Sequence, residues 1–148
     1  MIKFTRGNIL QSDSMAIVNT VNCVGVMGKG LALQFKKEHP QNFIEYKEVC
    51  ERKELVPGKI FVYHTKALLG TQYILNFPTK RHWKDKSQID DIAIGLKNMI
   101  GVLNNYNISS VSVPALGCGL GGLDWGDVKK LILDTFNNSN ITIVVYEP

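Results

Sequence analysis

The sequence predicts an α/β fold of three layers, α/β/α, built on a six-stranded mixed sheet. Three observations carry this. Six short runs rich in β-branched and aromatic residues are bounded by Gly, Pro, Asn or Ser. Between them, apolar residues recur at steps of three and four, the mark of helices with one buried stripe. In the second half of the chain the two kinds of segment alternate, which is the pattern of a largely parallel sheet with helices on both faces.

Taken in order, the first strands are IKFT (2–5) and MAIVNTV (15–21), and the little chain between them suggests that the sheet is mixed. A helix begins near Gly30, runs through LALQFKKE and stops before Pro40, because proline disfavours helical geometry in the residue ahead of it. Phe43, Tyr46 and Cys50 mark a second helix, and KIFVYH (59–64) and QYILNF (72–77) are the third and fourth strands. Ile89, Ile92, Leu96, Met99 and Leu103 share one face of a longer helix. SVSVPA (110–115) is the fifth strand, Val128, Leu131, Ile132 and Phe136 stripe the last helix, and ITIVVY (141–146) is the sixth strand. No repeat, low-complexity tract or linker interrupts the pattern, so residues 1–148 read as one domain around one core.

Composition excludes several classes. With 45% hydrophobic and 20% charged residues the chain is not a disordered polyelectrolyte. No apolar run approaches the roughly 20 residues that span a bilayer, and MIKFTRGN lacks the apolar core of a signal peptide, which gives the expectation of a cytoplasmic protein without a membrane partner. Cys23, Cys50 and Cys118 are odd in number and form no CxxC pair, against a disulfide framework or a zinc cluster; neither a metal nor a cofactor is expected. The net charge of +4 is mild, so its placement matters more than its size.

In open α/β sheets ligands sit beyond the carboxyl ends of the strands, which directs attention to three segments. The first, IVNTVNCVGVMGKGLALQF (17–35), runs from a strand through Asn22 and a loop with Gly25, Gly28 and Gly30 into a helix. Glycines let backbone approach a ligand, and amides at a helix start bind anions, so phosphate is the natural guest. It is not a Walker A loop: residue 23 is Cys, and Lys29 is followed by Gly30 instead of Ser or Thr. The second, SVSVPALGCGLGGLDWGDV (110–128), repeats the strand, glycine loop and helix. Gly117 to Gly122 formally match G-x-G-x-x-G, but no second mononucleotide half follows, which rejects the dinucleotide fold. Two such loops can clamp a pyrophosphate between them. The third is NFPTKRHWKDK (76–86), where Lys80, Arg81, His82, Lys84 and Lys86 surround Trp83. Such charges are commonly solvated, yet this composition also grips a phosphate backbone and stacks a base.

Together these motifs resemble the macrodomain family from Lys3 to Tyr146, with Gly7-Asn8-Ile9 where that family often has Gly-Asp-Ile. Within it, NCVGVMGKGLALQFK, NFPTKRHW and GCGLGGLDW are similar to the DarG-like branch, antitoxins that remove ADP-ribose from DNA modified by the toxin DarT. The resemblance implies ADP-ribose contacts at Asn8, Ile9, Asn19, Asn22, Gly25, Val26, Met27, Gly28, Lys29, Gly30, Pro114, Leu116, Gly117, Cys118, Gly119, Leu120, Gly121 and Tyr146. In it Asn8 accepts from the adenine amino group, Tyr146 lies against the adenine ring, Asn22 holds the distal ribose, and the loop amides hold the phosphates. Each has a plainer alternative: Asn8 as a turn cap, Tyr146 as core, Asn22 as a partner for loop amides. Lys80 stands where the branch containing the human terminal ADP-ribose glycohydrolase has its lysine, but Gly121 replaces that branch's second-loop aspartate, and no acid or base is assigned.

Cleaving a glycosidic bond at the ribose anomeric carbon builds positive charge there. An amine helps either by attacking when deprotonated or by protonating the leaving base. An unperturbed lysine, with a pKa of about 10.4, is protonated at neutral pH; neighbouring Arg81 and Lys84, and burial against Trp83, are expected to lower that value. The sequence is therefore read as a metal-independent DNA ADP-ribosyl glycohydrolase with Lys80 catalytic and Arg81, His82, Trp83 and Lys84 binding DNA. Its expected partners are ADP-ribose, ADP-ribosylated single-stranded DNA and a DarT-like toxin, with the chain acting as a monomer. The alternatives are a binding module without turnover and a hydrolase of ADP-ribosylated protein or of ADP-ribose phosphate.

Overall fold

A computed structural model describes residues 1–148. Its strands are β1 (Ile2–Thr5), β2 (Ala16–Val21), β3 (Phe61–His64), β4 (Tyr73–Pro78), β5 (Ser110–Val113) and β6 (Thr142–Tyr146), joined in one sheet of order β1-β6-β5-β2-β4-β3. The helices are α1 (Gly30–Glu38), α2 (Pro40–Glu51), α3 (Ile89–Asn105) and α4 (Trp125–Phe136).

The sheet is mixed, but not where the opening strands suggested. β1 pairs parallel with β6, at a distance from β2, and the one antiparallel pair is β3 with β4. The reason is connection length: the segment 65–72 is shorter than the roughly dozen residues that a parallel return needs. β2 lies at the centre, parallel to both β4 and β5, so the carboxyl ends of these three strands open on the same side.

Side chains alternate across β2. Ala16 and Val18 face the larger core, where Leu75, Phe77, Val111 and Val113 meet the apolar stripes of α3 and α4. Ile17 and Val21 face the other side, under Phe35 of α1 and Tyr46 of α2. Asn19 faces that side too and stands in register with Asn76 of β4. Asn76 donates to Asn42 Oδ1 at 2.8 Å and to Phe61 O at 3.1 Å, while its own Oδ1 accepts from Asn42 and Asn19 at 3.2 and 3.3 Å. All three asparagines are fully buried. Amides sealed from water hold their partners tightly, so this trio fixes where α2 sits on the sheet.

α3 approaches β4 closely because Gly95 has no side chain: a Cβ there would lie 2.3 Å from the Phe77 ring. Gly95→Ala would gain about 1 kcal/mol from helix propensity alone, but overpacking of the Phe77 ring should reverse the sign and give a net loss of about 1–3 kcal/mol. Urea unfolding checks this, and a stabilised variant would show that the contact is loose.

Candidate functional site

The first loop is shaped by Asn22. Its Oδ1 accepts from the Val24 and Val26 amides at 3.0 and 3.3 Å and from the Tyr46 hydroxyl at 2.8 Å, and its Nδ2 donates to Val26 O at 2.8 Å. The Tyr46 hydroxyl also lies 2.7 Å from Asn22 O, and burial raises its pKa so that it stays a donor. Gly25 turns at φ 84° beneath Lys47 and Cys50. The chain then enters α1 through Lys29, an N-cap residue whose side chain makes no capping bond. The first amides of α1 therefore face the space in front of the loop without a side-chain partner, and the positive end of the helix dipole points there. The N-terminus of α4 differs, because Asp124 caps it by accepting from the Asp127 amide at 3.2 Å.

The second loop folds on itself, with Leu123 N–H donating to Gly117 O at 2.9 Å and Gly122 N–H to Gly119 O at 3.2 Å. A Cβ at Gly121 would lie 2.2 Å from Ser87 Oγ and 2.4 Å from Gly117 O, so no side chain, an aspartate included, fits this backbone. Gly119 has nothing within 4 Å of its Cβ position and is exposed.

Between the loops runs the segment after β4. Thr79 and Lys80 both donate to Val21 O, at 2.8 and 3.4 Å, and Ser87 N–H donates to Gly121 O at 3.0 Å, which ties the segment to both loops. Lys80 is half-buried and its Nζ donates to Trp83 O at 3.5 Å. Burial, Lys86 and Lys29 lower its pKa, against an opposing pull from Asp85. The direction is the expected one and burial, one of the expected causes, is the largest; the nearby cations are Lys86 and Lys29 in place of Arg81 and Lys84. Arg81 is held by Asp91, which accepts from its Nε and Nη2 at 3.1 and 3.2 Å. Trp83 is half-exposed, with Lys84 Nζ 5.1 Å from its ring centre and the His82 ring 5.4 Å away.

These three segments enclose a cavity of about 400 Å³. Asn22, Val26, Gly28, Lys29 and Gly30 line it from the first loop; Pro114, Gly117, Cys118, Gly119, Leu120 and Gly121 line it from the second; Lys80 and Trp83 line it from between. The cavity also takes in Thr20, Val21, Leu31, Ala32, Thr79, Ala115 and Pro148, which the sequence reading missed. The strand-end rule points to Thr20 and Val21 as the last steps of β2 and to Thr79 as the residue just past β4; Pro148 carries no local signal.

Ten expected residues stay off this wall. Ile9, Asn19, Met27 and Leu116 are buried at 3% exposure or less, so their side chains support the site from beneath. Gly25 is covered by α2. Asn8 accepts from the Leu10 amide at 3.0 Å and so caps a short 3-10 turn. Ile9 and Tyr146 join an apolar cluster that includes Leu31, beside the cavity. Arg81, His82 and Lys84 lie outside the lining, with Arg81 taken up by Asp91.

Residues 18–132 match the family model of the Macro domain. The chain belongs to the macrodomain family. It is 48% identical over 149 residues to a Mycobacterium tuberculosis protein named DNA ADP-ribosyl glycohydrolase, an alignment that covers all of this chain but 42% of that protein. It superposes on the macrodomain of Mycobacterium tuberculosis DarG with a TM-score of 0.98, covering 100% of this chain and 98% of that one. It also superposes on Thermosipho africanus DarTG in complex with ADP-ribose, with a TM-score of 0.94, 35% identity and coverage of 99% and 41%. The chain thus spans under half the length of the DNA ADP-ribosyl glycohydrolases of Mycobacterium tuberculosis and Thermus aquaticus that it matches. No helix in it is long and apolar enough to cross a membrane.

The contrast between two neighbouring glycines tests the second loop. Gly121→Ala should lose about 1–3 kcal/mol of stability through the clash with Ser87 and Gly117, whereas Gly119→Ala should stay within about 0.5 kcal/mol of the parent. Equal unfolding midpoints for the two variants would contradict the packing described.

Proposed function

We propose that this macrodomain removes ADP-ribose from a nucleobase in single-stranded DNA by hydrolysing the N-glycosidic bond, with Lys80 as its catalytic residue and no metal. The observation that carries the reading is the placement of one half-buried amine, of lowered pKa, in the wall between two backbone cradles and beside a half-exposed indole. The names of the relatives point the same way.

The diphosphate would bind between the uncapped start of α1 and the amides of the second loop, where partial positive charge is already oriented. Adenine would lie toward Tyr146 and Ile9, and Asn22, although engaged in shaping its loop, keeps one amide hydrogen for the distal ribose. The anomeric carbon then lies toward Lys80. Lowering the pKa enlarges the neutral fraction of the amine, the form that attacks the anomeric carbon as its bond to the base breaks; the base leaves with that electron pair and takes a proton from solvent, and water then releases ADP-ribose from the lysine. Turnover should therefore rise with pH through a midpoint below that of an ordinary lysine; an ammonium protonating the departing base would give the opposite slope. A borohydride-trapped adduct at Lys80 would identify attack by the amine.

Trp83 offers a face on which a base flanking the modified one stacks, and Lys84 and Lys86 stand nearby, neither in an ion pair. Acting this way, the chain would serve as a cytoplasmic, monomeric antitoxin domain opposite a DarT-like toxin. One observation favours a second reading as a non-catalytic ADP-ribose binder: no aspartate or glutamate side chain lines the cavity.

The deciding experiment incubates the parent protein and Lys80→Ala with ADP-ribosylated single-stranded DNA and, separately, with ADP-ribosylated protein. The parent should release ADP-ribose from the DNA in preference, and Lys80→Ala should lose at least about two orders of magnitude while still binding free ADP-ribose. With Lys80→Ala as the background, affinity for modified DNA should fall with salt more steeply than affinity for ADP-ribose, and Trp83→Ala should lose about 1–3 kcal/mol of the former alone. Full turnover by Lys80→Ala would leave that lysine a surface charge, and equal salt slopes would end the DNA assignment.

A further inference from the structure

We propose that Arg81 and Asp91 form a clamp that holds Lys80 at the cavity wall, so that Arg81 is a positioning residue and not a contact for DNA. The inference rests on the reading of Lys80 as the catalytic group.

The sheet does little to place Lys80. The ladder between β2 and β4 ends at Val21 and Pro78, and beyond it Thr79 and Lys80 share one acceptor, Val21 O, with the Lys80 bond the longer at 3.4 Å. The Lys80 side chain bonds within its own segment, to Trp83 O, and the Lys84 and Asp85 amides also bond locally, to His82. From Lys80 to Lys86, Arg81 is the residue whose side chain is hydrogen-bonded outside the segment.

That side chain reaches a fixed point. Asp91 lies in the first turn of α3, 7% exposed, and receives both Nε and Nη2 in the two-point geometry that only a guanidinium supplies. α3 is immobilised by Ile92 and Leu96 in the core and by the close approach of Gly95 to Phe77 of β4. The backbone is gripped from the opposite side: Cys23 N–H donates to Arg81 O at 3.2 Å and the Cys23 thiol points at Lys80 O at 3.7 Å. Burial pushes that thiol up to about 11, so it remains a protonated donor at neutral pH. The peptide after Lys80 is thus held by the first loop on one side and, through Arg81, by α3 on the other. With its Nε and Nη2 on a carboxylate, Arg81 has only Nη1 without a protein partner, although it neighbours Trp83 in sequence.

Turnover on modified single-stranded DNA and binding of free ADP-ribose are measured for the parent, Arg81→Gln, Asp91→Asn and Arg81→Lys. Arg81 is exposed enough for its replacements to fold. Arg81→Gln and Asp91→Asn should each lower kcat by roughly tenfold to a hundredfold, the scale of a misplaced reacting group, with KM, ADP-ribose affinity and the salt slope of DNA binding unchanged. Arg81→Lys, which keeps one bond to Asp91, should fall between. A fall in DNA affinity with a shallower salt slope and an unchanged kcat would make Arg81 a phosphate contact and overturn the clamp. An NMR titration of the Lys80 ε-carbon in the parent and Arg81→Gln decides the point without turnover: release of the segment should move its midpoint toward that of an ordinary lysine, and an unmoved midpoint would overturn the proposal. A parent protein silent on modified DNA would instead remove the functional reading while the titration still tests the clamp.

Discussion

The site depends on one side chain more than on any other. Asn22 stands where β2 leaves the sheet, and its amide group meets the Val24 amide, both backbone groups of Val26 and the Tyr46 hydroxyl. Apart from the tyrosine hydroxyl these are backbone groups of a loop that no ladder satisfies, and Asn22 supplies their partners. With Asn22 in place the loop has a fixed exit, α1 starts with its amides uncapped toward the cavity, and Tyr46 links the arrangement to α2. The asparagine trio beneath, Asn19, Asn42 and Asn76, fixes α2 in turn. Polar groups inside the fold thus set the position of a binding surface made mostly of backbone.

That layering explains what the sequence could and could not reveal. Strand and helix periodicity gave all six strands and four helices to within a few residues, because each stripe answers directly to a core face. The antiparallel pairing of β3 with β4 was legible in the short connection between them and not in any residue pattern, whereas the partnership of β1 with β6, at opposite ends of the chain, left no local signal. The glycine loops were visible as glycines, yet which members touch the cavity was not: Met27 and Leu116 alternate inward with loop neighbours that face outward, and a resemblance carries both kinds together.

Gly121 and Arg81 show the same limit from opposite directions. At Gly121 the sequence presents the absence of a carboxylate, and only the proximity of Ser87 Oγ and Gly117 O explains why a side chain is excluded. Arg81 reads as part of a basic strip until Asp91, ten residues on and at the start of another helix, is seen to hold it. Lys80 is lowered in pKa as the strip suggested, by burial and by Lys86 of the same strip, while Lys29 is brought to bear by the fold alone.

The central claim is that the cavity is a preformed anion site whose positive end is the uncapped start of α1, completed by the second loop. Titrating free ADP-ribose into isotopically labelled protein and following its backbone amides by NMR tests this most directly. The account predicts the largest shifts at Gly28, Gly30, Leu31 and Ala32 and at Gly117 to Gly121, with the amides of Asp127 and Val128, already bonded to Asp124, nearly still. Shifts concentrated at the start of α4, with the start of α1 silent, would contradict it.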